Sequence, residues 1–416
     1  MPTPTRLKAR YIFPVAGDPI PDGVIAFDRQ RIISIEPSTG DEPDTEDLGN
    51  VAILPGLVNA HAHLEFSHLS KPIGHRGMDL SDWITTLILQ LRIEGQPQPD
   101  AVWRGLLEST AFGTTALAEI AQPNWSPAEF QSAPIDSTVF LELIAPTDST
   151  VDSDVDNTVD EKLKLAHRHI ASGPADRHWR PGLSPHAPYS VHPRLLSESA
   201  AISARHKVPL SFHLAESPEE IEFLKTAGGP FRHMLERLGQ WDQSAHRPGR
   251  SPLDLLRILA PAHRLLIVHG NYLTDKEITY IARHAQNMSV VYCPRTHHYF
   301  AHTPHPLEKL LASGVNVALG TDSRASSPDL NLLSDIRHTA HCHPALAPAT
   351  ALRLGTLAGA KALGRDAEVG TLEPGKHANL TIVPLPDRKE TDPHRLLFDQ
   401  NAPACATWFH GRQVHP

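Results

Sequence analysis

The sequence predicts an α/β protein, a distorted (β/α)8 TIM barrel joined to a small β-sandwich that the N- and C-terminal segments build together. Three observations carry this expectation. Between residues 55 and 364, short apolar runs alternate with helical stretches, the pattern of βα units and a parallel sheet. Eight such runs occur, at 57–63, 114–120, 137–143, 180–184, 210–214, 265–269, 288–292 and 316–320; eight is the number that closes a barrel. Both ends of the chain carry short strands broken by Gly, Pro and Asp, too few at either end to close a core alone. The expected division is therefore 1–54 and 365–416 for the halves of the sandwich, with the barrel at 55–364 inserted between them.

Composition removes several function classes. With 40% hydrophobic and 20% charged residues over 416 positions, the chain fits neither disorder nor a coiled coil. A net charge of −9 without a long Lys/Arg run disfavours nucleic acid and points to a small-molecule partner. Three cysteines, Cys293, Cys342 and Cys405, supply neither a disulfide framework nor a Cys-x-x-Cys zinc site. Cys293 reads as a packing residue. No run of 18 apolar residues and no cleavable leader pattern over residues 1–16 are present, so the expectation is a cytoplasmic protein without a membrane partner.

Taken in order, Tyr11-Ile-Phe and Gly23-Val-Ile-Ala-Phe are the N-terminal strands of the sandwich, and 370–383, Ala406-Thr-Trp-Phe and Arg412-Gln-Val their C-terminal partners. The first barrel strand is followed by helical stripes at 80–94 and 101–112. The acidic stretch 147–161, with Asp148, Asp152, Asp154, Asp156 and Asp160, lacks the central Gly and closing Glu of a calcium loop and reads as a solvated loop. Residues 228–251, rich in Gly, Pro and charge, read as a long loop after the fifth strand, either a lid or an ornament.

The strand ends carry the chemistry. In Leu57-Val-Asn-Ala-His-Ala-His, alternate side chains share a face, so His61 and His63 leave the strand together. Alone the pair is weak evidence in a chain of 27 histidines. His186 follows the fourth strand, His213 and Glu216 end the fifth, His269 the sixth and Asp322 the eighth. Each has an ordinary reading as a cap or a core imidazole, but their recurrence at strand after strand points to one site at the C-terminal rim.

In this order and spacing the chain resembles the amidohydrolase superfamily, in its branch of aminohydrolases and chlorohydrolases. The resemblance runs from Pro55-Gly-Leu-Val-Asn-Ala-His-Ala-His through Gly320-Thr-Asp-Ser to Gly370-Thr-Leu-Glu-Pro-Gly-Lys-His-Ala. It implies one divalent metal ion held by His61, His63, His213 and Asp322, with Glu216 as proton shuttle, His269 as partner of the hydrolytic water and His186 as a substrate contact. The donor set suits Zn2+, and Fe2+ or Mn2+ would accept the same ligands. Zinc lowers the pKa of bound water from about 15.7 to about 7, so a nucleophile exists near neutral pH. Asp322 and His269 would then orient that water while Glu216 moves its proton to the ring.

Departures from the pattern narrow it. The fourth strand offers Gly182-Leu-Ser-Pro-His and no lysine, which favours one metal over a bridged pair. Tyr292-Cys-Pro-Arg-Thr-His differs from the branch's usual Cys-Pro-x-Ser-Asn, so Arg295 or His297 either touches substrate or belongs to a charged loop facing solvent. Glu65, Phe66 and Trp83 are candidate pocket residues, the aromatics being able to stack on a planar ring or to belong to the core. His68, His75, His298, His302 and His305 have no assignment.

The resulting expectation is hydrolytic deamination of a purine-like or other heterocyclic amine, Glu65 and the Cys-Pro-Arg segment leaning towards an aminodeoxyfutalosine deaminase. The alternatives are hydrolytic dechlorination of a triazine-like ring and an inactive scaffold on the same fold. A homodimer is the family-based expectation for assembly.

Overall fold

The computed structural model describes residues 3–40, 43–94, 100–147, 158–173 and 178–416. Of the acidic stretch, residues 148–157 lie outside these, and Asp160 is ion-paired with Arg194 at 2.9 Å.

The strands fall into two sheets. Five come first: β1 (Thr5–Ile12), β2 (Ile20–Asp28), β3 (Arg31–Pro37), β4 (Thr45–Asp47) and β5 (Val51–Pro55). The barrel strands follow: β6 (Leu57–Ala62), β7 (Thr114–Ala121), β8 (Asp136–Leu143), β9 (Trp179–Pro185), β10 (Leu210–Leu214), β11 (Leu265–His269), β12 (Met288–Tyr292) and β13 (Asn316–Leu319). Three more close the chain: β14 (Leu380–Pro384), β15 (Ala406–Phe409) and β16 (Arg412–His415).

The terminal segments meet in one mixed sheet, ordered β16-β15-β14-β5-β1-β2-β3 with β4 on β1. The junction is β5, whose residues 51–55 pair antiparallel with β14 while Ala52 and Ile53 pair parallel with β1. One residue, Gly56, then turns the chain into the barrel. A Cβ there would sit 2.1 Å from Thr115 Oγ1, so only glycine lets the backbone pass. Thr381 and Thr407 of the terminal sheet donate to the Gly113 and Thr110 carbonyls at 2.7 and 2.8 Å, fastening it to the barrel.

Strands β6 to β13 pair in chain order, all parallel. Every residue of β7 and β8 is buried, with helices over one face and packed side chains on the other, so their polar members such as Glu119, Asp136 and Glu142 are buried as well. The cylinder is distorted at two places. Between β9 and β10 only Leu183 and Leu210 are in register, and β13 returns to β6 through the lone bridge Ala62–Asp322. Asn59 reinforces that second seam: its Nδ2 donates to Thr321 Oγ1 at 2.8 Å, and its Oδ1 accepts from the Thr321 and His61 amides at 3.2 Å each.

Residues 228–251 differ from the expected loop. A helix, Gly229–Arg237, occupies part of the stretch, started by Pro230 and burying Phe231, Met234 and Leu235. Those three positions with Leu238 follow an i, i+3, i+4, i+7 spacing that the surrounding Gly, Pro and charged residues obscured. The Phe231 ring stacks on Tyr189 at 4.0 Å, placing this segment behind a residue that lines the cavity described below. No helix among the described residues is long and apolar enough to cross a membrane.

Candidate active site

Because all eight strands run the same way, their C-terminal ends deliver side chains to one rim. His61, His63 and His213 place ligand atoms within 4.8 Å of one another, and so do His61, His269 and Asp322. His61 is common to both groups. It is 0% exposed, and neither ring nitrogen has a hydrogen-bond partner. An imidazole buried with both polar atoms orphaned carries a desolvation cost that a cation at the centre of the cluster would offset.

The protonation states fit that role. Burial, then the neighbouring imidazoles, hold His61, His63 and His269 well below the usual histidine range, and burial with His186 brings His213 down to about 3. These rings are neutral at physiological pH, the form that binds metal. His213 Nδ1 lies 3.0 Å from the His186 carbonyl, which can only accept, so Nδ1 carries the proton and Nε2 is left free as a donor to metal. Burial lifts Asp322 to about 6 despite the Ser323 amide donating to its Oδ1 at 2.8 Å. A dication beside it would favour the ionised carboxylate.

The turns that present these groups are unusual. His269 and Asp322 both sit at positive φ, +68° and +57°, as does Ala215 at +56° just ahead of Glu216. Left-handed backbone in non-glycine residues is costly and gathers at functional sites. Glu220 holds one of the turns, its carboxylate accepting from the Ala215 and Glu216 amides at 2.8 and 2.9 Å, and Asn271 Nδ2 donates to the Glu216 carbonyl at 2.9 Å. Glu216 Oε1 then lies 3.3 Å from His269 Nε2. Burial, reinforced by Asp322, pushes the Glu216 carboxyl well above the usual range.

All of this opens on a cavity of about 540 Å3 whose lining includes His63, His213, Glu216, His269 and Asp322. That size suits one small organic ligand. Residues 52–414 match the amidohydrolase family. The chain belongs to that family. Among relatives, the 5-methylthioadenosine/S-adenosylhomocysteine deaminase of Moorella thermoacetica is 30% identical over 91% of this chain and 85% of its own length. The aminodeoxyfutalosine deaminase of Deinococcus radiodurans is 28% identical over 77% of this chain and 75% of its own. Among solved structures, an adenosine deaminase from Xanthomonas campestris with bound zinc superposes with a TM-score of 0.80 at 25% identity, covering 100% of this chain and 93% of that one.

As an amidohydrolase the chain holds most of the expected pocket. Glu65, Phe66, Trp83 and His186 all line the cavity, and Trp83 is fixed by its indole N–H donating to the Ile73 carbonyl at 3.1 Å. His186 Nδ1 meets Ser190 Oγ at 2.6 Å, which leaves Nε2 facing Glu142 Oε1 at 3.9 Å.

Arg295 is a correction. It does not line the cavity, nor does it face solvent. Its guanidinium bonds Asp335 at 2.8 and 3.0 Å, Asp329 at 2.6 Å and the Asp329 and Asn331 carbonyls at 3.0 and 3.2 Å. With its donors consumed, it is a tie between the segment after β12 and the segment after β13. His297 also points elsewhere, its Nε2 2.9 Å from the Thr303 carbonyl. Cys293 is buried against Gly320, as expected of a packing residue.

Several site residues had no sequence assignment. Gln122 and Glu142, at the ends of β7 and β8, line the cavity, and Glu220, Asn59 and Asn271 fix the turns. His305, unassigned by spacing, has Nε2 3.0 Å from the His269 carbonyl and a ring stacked on Tyr292 at 4.0 Å. Position was the available signal for Gln122 and Glu142: both close apolar strands at the rim where the other polar ends collect.

Proposed function

We propose that the protein is a metal-dependent hydrolytic deaminase of an aminated aromatic nitrogen heterocycle. The observation that carries this reading is the placement of Glu216, 7% exposed and 3.3 Å from His269, beside a cluster of neutral histidines and Asp322 in one cavity. Deaminase names on relatives at 30% and 28% identity support it.

His61, His63, His213 and Asp322 are the residues that would hold one divalent ion, and zinc, the ion in the Xanthomonas campestris protein, suits three imidazoles and a carboxylate. Such an ion supplies acidified water near neutral pH. Glu216 donates its proton to the ring nitrogen beside the amino-bearing carbon, turning that carbon into an acceptor for attack. The carboxylate then collects the proton released by the attacking water and passes it to the amine; as the C–N bond breaks and ammonia departs, the new C–OH becomes a carbonyl and its proton returns to Glu216, restoring the starting acid. His269 and Asp322 orient the attacking water, and His186 contacts the ring. Phe66 and Trp83 supply faces for a planar heterocycle.

Dechlorination is the weaker reading, because chloride leaves without a proton and gives Glu216 no equivalent task. An inactive scaffold has no physical need for four converging donors together with Glu216 and His269. The lean towards aminodeoxyfutalosine loses half of its support, since Arg295 is engaged away from the cavity, and retains Glu65.

The test is ammonia release by zinc-loaded protein against adenine-, guanine-, cytosine- and triazine-type amines, with chloride release measured in parallel on chlorinated rings. Ammonia from at least one amine is expected, together with about one equivalent of metal. A folded, metal-free protein, or chloride release alone, would reject the reading.

A further inference from the structure

Seven of the 27 histidines fall in two short segments, Thr296-His-His-Tyr-Phe-Ala-His-Thr-Pro-His and His338-Thr-Ala-His-Cys-His, and none of them takes part in the chemistry above. The fold brings the segments together. Helix Pro294–Tyr299 and helix Leu332–Cys342 border a separate cavity of about 280 Å3, lined by six imidazoles and one thiol. Four positions apart on the second helix, His338 and Cys342 share a face, and His338 Nε2 stands 3.4 Å from Cys342 Sγ. The His298 ring reaches over from the first helix, 5.1 Å from the His338 ring. In the catalytic cluster the His61 ring stands 4.9 Å from those of His63 and His213, so this is a spacing at which two imidazoles can share an ion.

The rest of the lining suits a cation. Burial brings His297, His302 and His338 down to about 4 and His305 to about 3, so all four are neutral at physiological pH, the form that binds metal. His305 is 3% exposed, and its Nε2 faces the His269 carbonyl at 3.0 Å and so carries the proton, which leaves Nδ1 as an acceptor without a hydrogen-bond partner. His302 has Nδ1 3.2 Å from Tyr272 Oη and an unpartnered Nε2. Water coordinated by a cation is a strong donor of the kind these buried nitrogens lack.

We propose that this cavity is a second transition-metal site, separate from the catalytic one, in which Cys342 as thiolate and His338 grip a zinc-class divalent ion and His298 completes the donor set from the facing helix. On binding, the Cys342 S–H bond breaks, its proton passes to solvent and the sulfur electron pair goes to the ion. This site is the weaker of the two. Among the described residues only the catalytic histidines and Asp322 bring three ligand atoms within 4.8 Å of one another, so His298, an exposed side chain, must swing to close the set. Burial raises the Cys342 thiol above its usual range, so the ion competes with a proton. Arg76, which lines the same cavity and donates to the His298 carbonyl at 3.3 Å, opposes further positive charge. Dialysis therefore clears this ion and leaves the catalytic one.

The test titrates dialysed, zinc-containing protein with Co2+, which reports thiolate ligation through a near-ultraviolet charge-transfer band that imidazole and carboxylate ligands do not give. The catalytic donors include no sulfur, so the band reads this site alone. The expected result is a band that saturates at about one added equivalent, with about one proton released per ion. Cys342 is exposed, and Cys342→Ser abolishes the band with zinc content and unfolding midpoint unchanged. His338→Ala and His298→Ala each raise the Co2+ dissociation constant by about tenfold or more. A titration without the band, a band that persists in Cys342→Ser, or an affinity that neither histidine substitution moves overturns the proposal.

Discussion

The barrel buries a carboxylate network at each of its two rims, and they have opposite characters. At the C-terminal rim, Glu216 and Asp322 are both pushed up, and His61 lacks a partner at either nitrogen. At the N-terminal rim, Asp136 opens β8 and meets Arg365 at 2.8 Å, with His410 at 3.4 Å and His178 at 3.6 Å, while Arg365 also binds Glu368 at 2.7 Å. Burial alone would raise Asp136, yet His178, His410 and Arg365 hold it well below the carboxylate range. Burial is similar at the two rims, with Asp136 6% and Asp322 8% exposed. What differs is whether charge is answered inside the protein or left to be answered by something bound.

Substitutions at the two rims should therefore separate activity from stability. The largest effect is expected for Glu216→Gln, a loss of about 10²- to 10⁴-fold in kcat with metal content and unfolding midpoint preserved. Full activity in that variant would remove Glu216 from the mechanism. At the other rim Asp136→Asn should cost about 1.5–3 kcal/mol by removing one of the two carboxylates that hold Arg365, Glu368 remaining as the other, with zinc affinity unchanged. Its acid dependence has a definite sign. A carboxyl depressed in the folded state contributes fully above its unfolded value, about 3.9, and that contribution fades as pH falls further. Urea unfolding should thus show a wide gap between parent and variant at pH 7 that narrows below about pH 4. A gap that widens in acid would contradict the pairing.

A smaller effect sharpens the comparison from the backbone side. A Cβ on Gly320 would lie 2.8 Å from the His61 Cβ and 2.9 Å from its carbonyl oxygen, so Gly320→Ala should displace a ligand while the fold survives. A drop of about 10- to 100-fold in zinc affinity, read by chelator competition, is expected. Unchanged affinity would mean that His61 tolerates the shift. The mildest of the series is Asn59→Ala, which removes the seam hydrogen bonds and should cost about 1–3 kcal/mol in thermal unfolding.

The contrast also explains what could be read from the sequence. Strands β10, β11 and β12 occupy the residues expected of them, because compact apolar runs bounded by turn residues define a buried parallel strand. Once eight such strands are aligned, the histidines and Asp322 at their ends must share a rim, so the cluster was visible from position alone. The Asp136–Arg365 tie spans 229 positions and left no local pattern. Arg295 was misread for a related reason: a charged residue after a rim strand looks functional until Asp335, forty positions on, is known to lie beside it. Gln122 and Glu142 were overlooked because a single polar residue closing an apolar run is ordinary.

The lone bridge between β6 and β13 gives the site a role in assembly. The first and last staves of the cylinder are about 260 residues apart in the chain, and they touch where His61 and Asp322 stand 3.8 Å from each other. An ion held from both sides would act as a clasp across the edge that synthesis completes last. Zinc should accordingly slow amide exchange most at 57–62 and 316–322, and uniform protection around the cylinder would show that the seam needs no clasp.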